Sequence, residues 1–330
     1  MKVIEQVVTD RYAAYHADVM DVVRGLPDNS MHYSISSPPF ASLYTYSSSP
    51  RDMGNVASHE EFFASFRFLV PELLRIIKPG RLCTMHCMNL PTSKARDGFI
   101  GLSDFRGEII RAFVECGWIF HSEVVVWTDP VTAMQRTKAL GLLHKQIKKD
   151  SSMSRQGIPD TLVTFRKPGA NEEPVTHSGE GDDMPVQLWQ RYASPVWVTT
   201  RGVDPEGFAI CVGDSQPGND TSTVDRGDTL QHRSAREEAD ERHICPLQLE
   251  VYRRCIKLWT NPGDGVFEPF GGIGSGGVVS LEMGRKYAAA ELKRSYYQQM
   301  VRNLAATVEP IKQQDMFGAL AAPSAESSAA

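Results

Sequence analysis

Near the C-terminal end, the run VFEPFGGIGSGGVVSLEMGRKYAAAEL, residues 266–292, reads as strand, glycine loop, helix and strand, with an acidic residue at the end of the second strand. Such a unit is part of a larger sheet, since a dinucleotide-type fold normally opens with it and needs several strands after it. Only about fifty residues follow these glycines, enough for one strand and one helix. The missing strands must come from the N-terminal half. The chain therefore predicts an α/β sheet, mostly parallel and circularly permuted, in which first-half strands flank the C-terminal ones.

The loop itself carries two readings. Gly272, Gly274 and Gly277 satisfy G-x-G-x-x-G, the dinucleotide pattern, and Glu291 stands about twenty residues on, where a carboxylate accepts hydrogen bonds from ribose hydroxyls. Glycines at such a turn let the backbone approach a ligand at a helix N-terminus. Glu268, before Pro269 and Phe270, points the other way: an acidic residue at the strand end suits a cationic ligand better than a pyrophosphate. S-adenosylmethionine, with an ammonium and a sulfonium, is a ligand of that kind.

The first half alternates strands and helices. RYAAYHADV reads as a strand ending at Asp18, MHYSISS as a strand, and HEEFFASFRFLVPELLRIIKPG as an amphipathic helix closed by Pro79-Gly80. RLCTMHC, WIFHSEVVVW and TLVTFRK are further strands of a parallel-sheet pattern. Regularity fails from Pro168 to about Glu241, resumes with PLQLEVYRRCIKLWT, and ends in an Ala- and Ser-rich tail from about Gln314 that reads as disordered.

MHYSISS runs into Ser37-Pro38-Pro39-Phe40. Proline donates nothing to a ladder, so the strand must stop there and Ser37 is held at its end with extended backbone after it. Alone this is a turn between strand and loop. Ser37-Pro38-Pro39-Phe40 early in the chain and Phe270-Gly271-Gly272-Ile273-Gly274 late in it are jointly specific, however. With both, the chain resembles the permuted β class of amino-methylating DNA methyltransferases, and within it the phage and prophage DNA modification methylases, over roughly residues 8–308.

That resemblance implies an S-adenosylmethionine-dependent methyltransferase fold of Rossmann type with an inserted recognition lobe. It divides the chain into a catalytic half (1–168), a target-recognition insertion (169–241), a cofactor-binding half (242–313) and a tail (314–330). Carried over by position, Ser37, Pro38, Pro39 and Phe40 form the catalytic motif. Phe270, Gly272, Gly274 and Ser275 form the cofactor loop with Glu268, Glu291 meets the ribose, and Asp18 meets the adenine amino group. His243 matches a family position next to the methionine end of the cofactor, and also suits a helix-capping or packing role. Serine at the head of the motif goes mostly with cytosine N4 as acceptor in this family, and aspartate or asparagine with adenine N6, which remains the alternative.

The net charge of -5 argues against wholesale affinity for nucleic acid, but charge is unevenly spread. Val131 to Pro168 holds eight basic residues against two acidic, whereas Asn171 to Arg242 holds six against fifteen. Arg136, Lys138, Lys145, Lys148 and Lys149 fit a solvated helix face or a phosphate footprint, and the resemblance favours contacts with double-stranded DNA. Base reading would fall to the 170–240 lobe, with Arg191, Tyr192, Arg201 and Arg226 as candidates. Six cysteines without a C-x-x-C pair argue against a zinc site or disulfide framework, and no Pro-Cys pair supports a thiol nucleophile. With no membrane-length apolar run and no signal-peptide pattern, the chain reads as cytoplasmic. A cognate restriction endonuclease, and the choice between monomer and homodimer, stay open.

Overall fold

The computed structural model describes residues 2–40, 52–56, 58–127, 143–177, 183–200, 223–225, 227–231 and 247–321. Among them a single ten-stranded sheet forms the middle layer. Its strands are β1 (Glu5–Val8), β2 (Tyr12–His16), β3 (Met31–Ser36), β4 (Ile77–Cys87), β7 (Ile119–Trp127), β8 (Asp160–Arg166), β9 (Val196–Thr200), β10 (Thr223–Asp225), β11 (Gly265–Glu268) and β12 (Lys286–Glu291). The short β5 (Leu90–Pro91) and β6 (Leu102–Ser103) pair with each other apart from it. Across the sheet the order is β1-β2-β12-β11-β3-β4-β8-β7-β9-β10. The glycine-loop strands β11 and β12 thus lie between β2 and β3, flanked by first-half strands as the sequence requires.

Six of the nine pairings in this sheet are parallel; β1–β2, β4–β8 and β7–β8 are antiparallel. The sheet is mostly parallel, as the sequence predicts, and within it β8 runs against both of its neighbours. Side-chain periodicity reports which face of a strand is buried, and it carries no information on strand direction. One consequence is geometric. The connection between β7 and β8, residues 128–159, leaves and re-enters at the sheet edge where β3, β4, β11 and β12 end.

The α-helices among the described residues are α1 (Val19–Val23), α2 (His59–Ile76), α3 (Lys94–Asp97), α4 (Phe105–Glu115), α5 (His144–Ile147), α6 (Val186–Tyr192), α7 (Leu249–Trp259), α8 (Ser275–Glu282) and α9 (Arg294–Ala321). On one face α1, α2 and α4 bury an aromatic cluster against Met85, Val163 and Phe267. In α2 the residues Phe62, Phe63, Phe66, Leu69, Val70, Leu73 and Ile76 recur at helical spacing and are all buried. Ser58 caps that helix by accepting from the Glu61 N–H. The opposite face is covered by α7, α8 and α9, whose Tyr252, Val279, Leu304 and Val308 meet Val266, Tyr287 and Ala289.

Three expectations are corrected. Helix α2 stops at Ile76, and Pro79-Gly80 belongs to β4, where Gly80 has φ +72°. Met31 faces Ile77 while Tyr33 already faces Leu82, so β4 bulges there and the glycine supplies the bend. Part of the 169–241 segment also belongs to the main sheet, since β9 pairs with β7 and carries the buried Trp197. Finally, α9 continues to Ala321, past residue 313 where order was expected to end. Its Ala, Gln, Leu and Met content favours helix continuation even where composition suggests a loose tail.

Two polar devices lock the central strands in register. Tyr33 Oη donates to Thr84 Oγ1 (2.7 Å), and Thr84 Oγ1 lies 3.0 Å from Thr164 Oγ1, tying β3, β4 and β8 through their buried interior. At the far end of the sheet His32 Nδ1 accepts from the Gly265 N–H (2.9 Å). There the Arg81 guanidinium bonds both the His32 carbonyl and the Asp264 carboxylate. None of the helices among the described residues is long and apolar enough to cross a membrane.

Candidate active site

The chain leaves β3 toward α2 and β4 on one side, and leaves β11 toward α8 and β12 on the other. Neighbouring parallel strands whose connections depart in opposite directions open a crevice at their carboxyl ends. Phe267 faces Ser34 across β11 and β3, so the two strands end together, with Ser37 and Phe270 each three residues farther on. The structure thus brings the two sequence motifs to one edge, although some 230 residues separate them.

On the β3 side, Ser36 pairs with Met85, which sets Ser37 beside His86. Ser37 Oγ lies 2.9 Å from His86 Nδ1. Pro38 is buried and Pro39 half-buried. The Phe40 ring meets His86 edge-on at 6.1 Å between centroids and Phe105 at 5.9 Å, which fixes it against the α4 cluster. Asp160, the first residue of β8, reaches the other side of the same histidine, with Oδ2 3.9 Å from Nε2.

On the β11 side the glycines serve distinct needs. Gly272 and Gly274 have φ +53° and +87°, a region that L side chains rarely adopt. Gly276 and Gly277 are required by packing: a Cβ would stand 2.6 Å from Glu268 Oε2 in the first case and 2.5 Å from Leu304 Cδ2 in the second. The Gly272 N–H donates to Glu291 Oε2 and the Lys293 N–H to Glu291 Oε1, both at 2.8 Å. Glu291 thereby holds the loop to the end of β12, and burial raises its carboxyl to about 7. Asn303 Nδ2 donates to the Ile273 carbonyl and pins the loop to α9.

Asp18 stands beyond the end of β2, next to β12; the Ala17 N–H donates to the Glu291 carbonyl (3.2 Å). It caps α1 through an Oδ1 that accepts from the Met20 N–H. Asp18, Phe270, Gly272, Gly274, Ser275 and Glu291 therefore surround one end of the crevice. Glu268 does not join them. Its side chain turns beneath the loop, 2% exposed, and accepts from Tyr252 Oη and Tyr287 Oη at 2.6 Å each. The expectation that it faces a cation is corrected: a carboxyl with both oxygens engaged by tyrosines, and raised by burial to about 8, is a poor partner for an ammonium.

Lys145, Lys148 and Lys149 are exposed on and after α5, within the connection from β7 to β8. Arg136, Lys138, His243, Arg201 and Arg226 lie outside the described residues. Tyr192 packs beneath the Arg254 guanidinium (5.4 Å), which also lies over Trp197 (5.0 Å), and Arg191 is half-buried on α6. Cys83 and Cys255 are buried, with thiols pushed up to about 12, as befits apolar core residues. Reading the sequence missed His86, Asp160, Tyr252 and Tyr287. A signal existed for His86 alone, as a titratable residue at the end of the strand after α2.

The chain matches the DNA methylase family N6_N4_Mtase over residues 31–302. It is 39% identical over 62 residues to the Type II methyltransferase M.Cfr9I of Citrobacter freundii, a stretch covering 19% of this chain and 21% of that relative. The chain thus aligns with about a fifth of that curated relative's length. Among solved structures, TTHA0409 from Thermus thermophilus, described as a putative DNA modification methylase complexed with S-adenosyl-L-methionine, superposes with TM-score 0.60. It is 18% identical, and the match covers 89% of this chain and 93% of that one. The PvuII DNA methyltransferase, described as cytosine-N4-specific, gives TM-score 0.60 at 15% identity over 96% of this chain and 95% of that one. These two share its fold. By a match that spans most of its length, the chain belongs to the N6/N4 family of DNA methylases.

Proposed function

We propose that this protein methylates the exocyclic N4 of cytosine in double-stranded DNA, taking the methyl group from S-adenosylmethionine and acting on a base flipped out of the duplex. The observation that carries this reading is the placement of Ser37 and the glycine loop at the ends of adjoining parallel strands.

The residues present fit the cofactor. Glu291 keeps lone pairs beyond those engaged by Gly272 and Lys293, and a carboxylate in that position suits two ribose hydroxyls. The loop at Gly272 and Gly274 offers backbone without side-chain bulk, and Asp18, Phe270 and Ser275 complete that end. When bound, S-adenosylmethionine supplies an electrophilic methyl group on sulfonium.

The chain's own part is to make a poor nucleophile attack. The lone pair of an aromatic amino group is delocalised into its ring, and acceptors placed for its two N–H bonds favour the pyramidal geometry of the transition state. Ser37 Oγ and the Pro38 carbonyl stand at the strand end for that purpose, and Phe40 supplies an apolar surface for the base. An amino group inside a duplex is out of reach, so the base must leave the stack, at a few kcal/mol recovered from contacts in the pocket. Lys145, Lys148 and Lys149 follow the phosphates, and residues 169–241 read bases.

Incubation with labelled S-adenosylmethionine and mixed-sequence duplex DNA, followed by mass analysis of nucleosides, tests the proposal. N4-methylcytosine is expected. N6-methyladenine would transfer the assignment to the other amino group, because a serine oxygen serves either, and neither product would overturn it. Ser37→Ala is expected to lower transfer at least about a hundredfold while calorimetry finds cofactor binding unchanged.

A further inference from the structure

Methylation of an exocyclic amino group leaves one proton too many on nitrogen. The N–CH3 bond forms, the S–CH3 bond breaks, the sulfonium becomes a neutral thioether, and the attacking nitrogen must give up a hydrogen. Ser37 can accept that proton only by handing on its own, because a protonated hydroxyl is too acidic to persist beside a base. What stands behind Ser37 therefore matters.

Behind it is an imidazole. His86 projects from the end of β4, and its Nδ1 is 2.9 Å from Ser37 Oγ. The ring is 7% exposed and held by the edge of Phe40. Its other nitrogen, Nε2, is buried without a hydrogen-bond partner, yet Asp160 Oδ2 lies 3.9 Å away. If Nδ1 accepts from the serine hydroxyl, Nε2 carries the ring hydrogen and points it toward a carboxylate. That arrangement places a carboxylate beside the nitrogen at which an imidazolium would carry its second N–H. Among the described residues, the Arg106–Glu123 pair joins α4 to β7, and Asp104 caps α4. Asp160 is the carboxylate that pairs with the ring.

We propose that His86 is the proton acceptor of this site, acting through Ser37, with Asp160 stabilising the imidazolium. This rests on the amino-methylating reading above. The amino proton passes to Ser37 Oγ, the hydroxyl proton passes to His86 Nδ1, and the imidazolium releases its proton to solvent after product leaves. His86 touches no substrate atom, so its role is to drive and orient Ser37.

Single-turnover rates measured across about pH 5 to 9 test this, with histidine NMR titration of the free protein as a readout independent of activity. The wild-type rate is expected to rise with pH to a plateau at the inflection where the His86 resonance titrates. His86→Gln keeps a hydrogen-bond acceptor beside Ser37 and cannot take up a proton. It should lose that inflection and fall about a hundredfold in rate, with dissociation constants for S-adenosylmethionine and DNA unchanged. Asp160→Asn, which removes the carboxylate 3.9 Å from Nε2, should lower the single-turnover rate with the same dissociation constants unchanged. A His86→Gln enzyme with wild-type rate and profile, or an Asp160→Asn enzyme with wild-type rate, would overturn the proposal. A wild-type protein that yields no methylated base would instead remove the reading on which it rests, and the role of His86 with it.

Discussion

Glu268 is where a single residue most changes the behaviour of the whole. Its folded pKa of about 8 stands above the ordinary value of 4.5, so the native protein holds a proton that the unfolded chain releases. Stability from this group is complete below pH 4.5 and is lost as pH rises toward 8, at up to about 1.4 kcal/mol per pH unit. Glu291 adds a limb of the same sign that ends near pH 7. Denaturant midpoints should therefore fall between about pH 5 and about pH 8, and Glu268→Gln should flatten that fall without abolishing it. A variant with the wild-type slope would show that Glu268 ionises freely. Sequence could not reach this, because the acidic residue before Pro269 is legible while the two tyrosines that cover it come from α7 and β12. Ser37 and the loop glycines were legible, since proline pairs and glycine spacings act through the local backbone. For His86 the sequence shows a titratable residue at a strand end, and its place across the strand pair from Ser37 is what a linear pattern hides.

At the scale of elements, the glycine helix α8 depends on how closely it approaches α9. Gly277 and Leu304 meet where no Cβ fits, and Leu304 is fully buried among Tyr287, Met300 and Val278. Leu304→Ala should cost about 2–5 kcal/mol, read as a drop in unfolding midpoint. Gly277→Ala should destabilise as well, by overpacking. A neutral Gly277→Ala would mean that α9 can move aside. Element type and order followed from hydrophobic period, as in α2, whose seven buried residues are the apolar stripe itself. Direction did not follow, and neither did the edge strand β1, whose EQVV segment is mostly exposed and has no alternating signature. The bulge at Gly80 was read as a helix stop because Pro-Gly marks a break in either element.

For the whole molecule, the uneven charge finds a physical setting. The basic connection between β7 and β8 opens at the edge that holds the crevice, so a net charge of -5 does not prevent a local attraction for phosphates. Replacing Lys145, Lys148 and Lys149 together by alanine should weaken binding to duplexes of any sequence. It should also reduce the slope of log affinity against log salt by up to about three. An unchanged slope would assign these lysines to a solvated surface and leave phosphate contact to other residues.

The placement of β11 and β12 between β2 and β3 also has a consequence in time. During synthesis the N-terminal strands emerge first, with a gap where two central strands belong and a bare edge on β3. That edge stays open to wrong pairing until residues 265–291 have left the ribosome, because strands distant in sequence close last. Any ligand that needs both Glu291 and the β3 end can stabilise only the finished chain, by mass action on the native state. A chain cut short before Gly265 is therefore expected to be an aggregation-prone fragment that no concentration of that ligand can rescue.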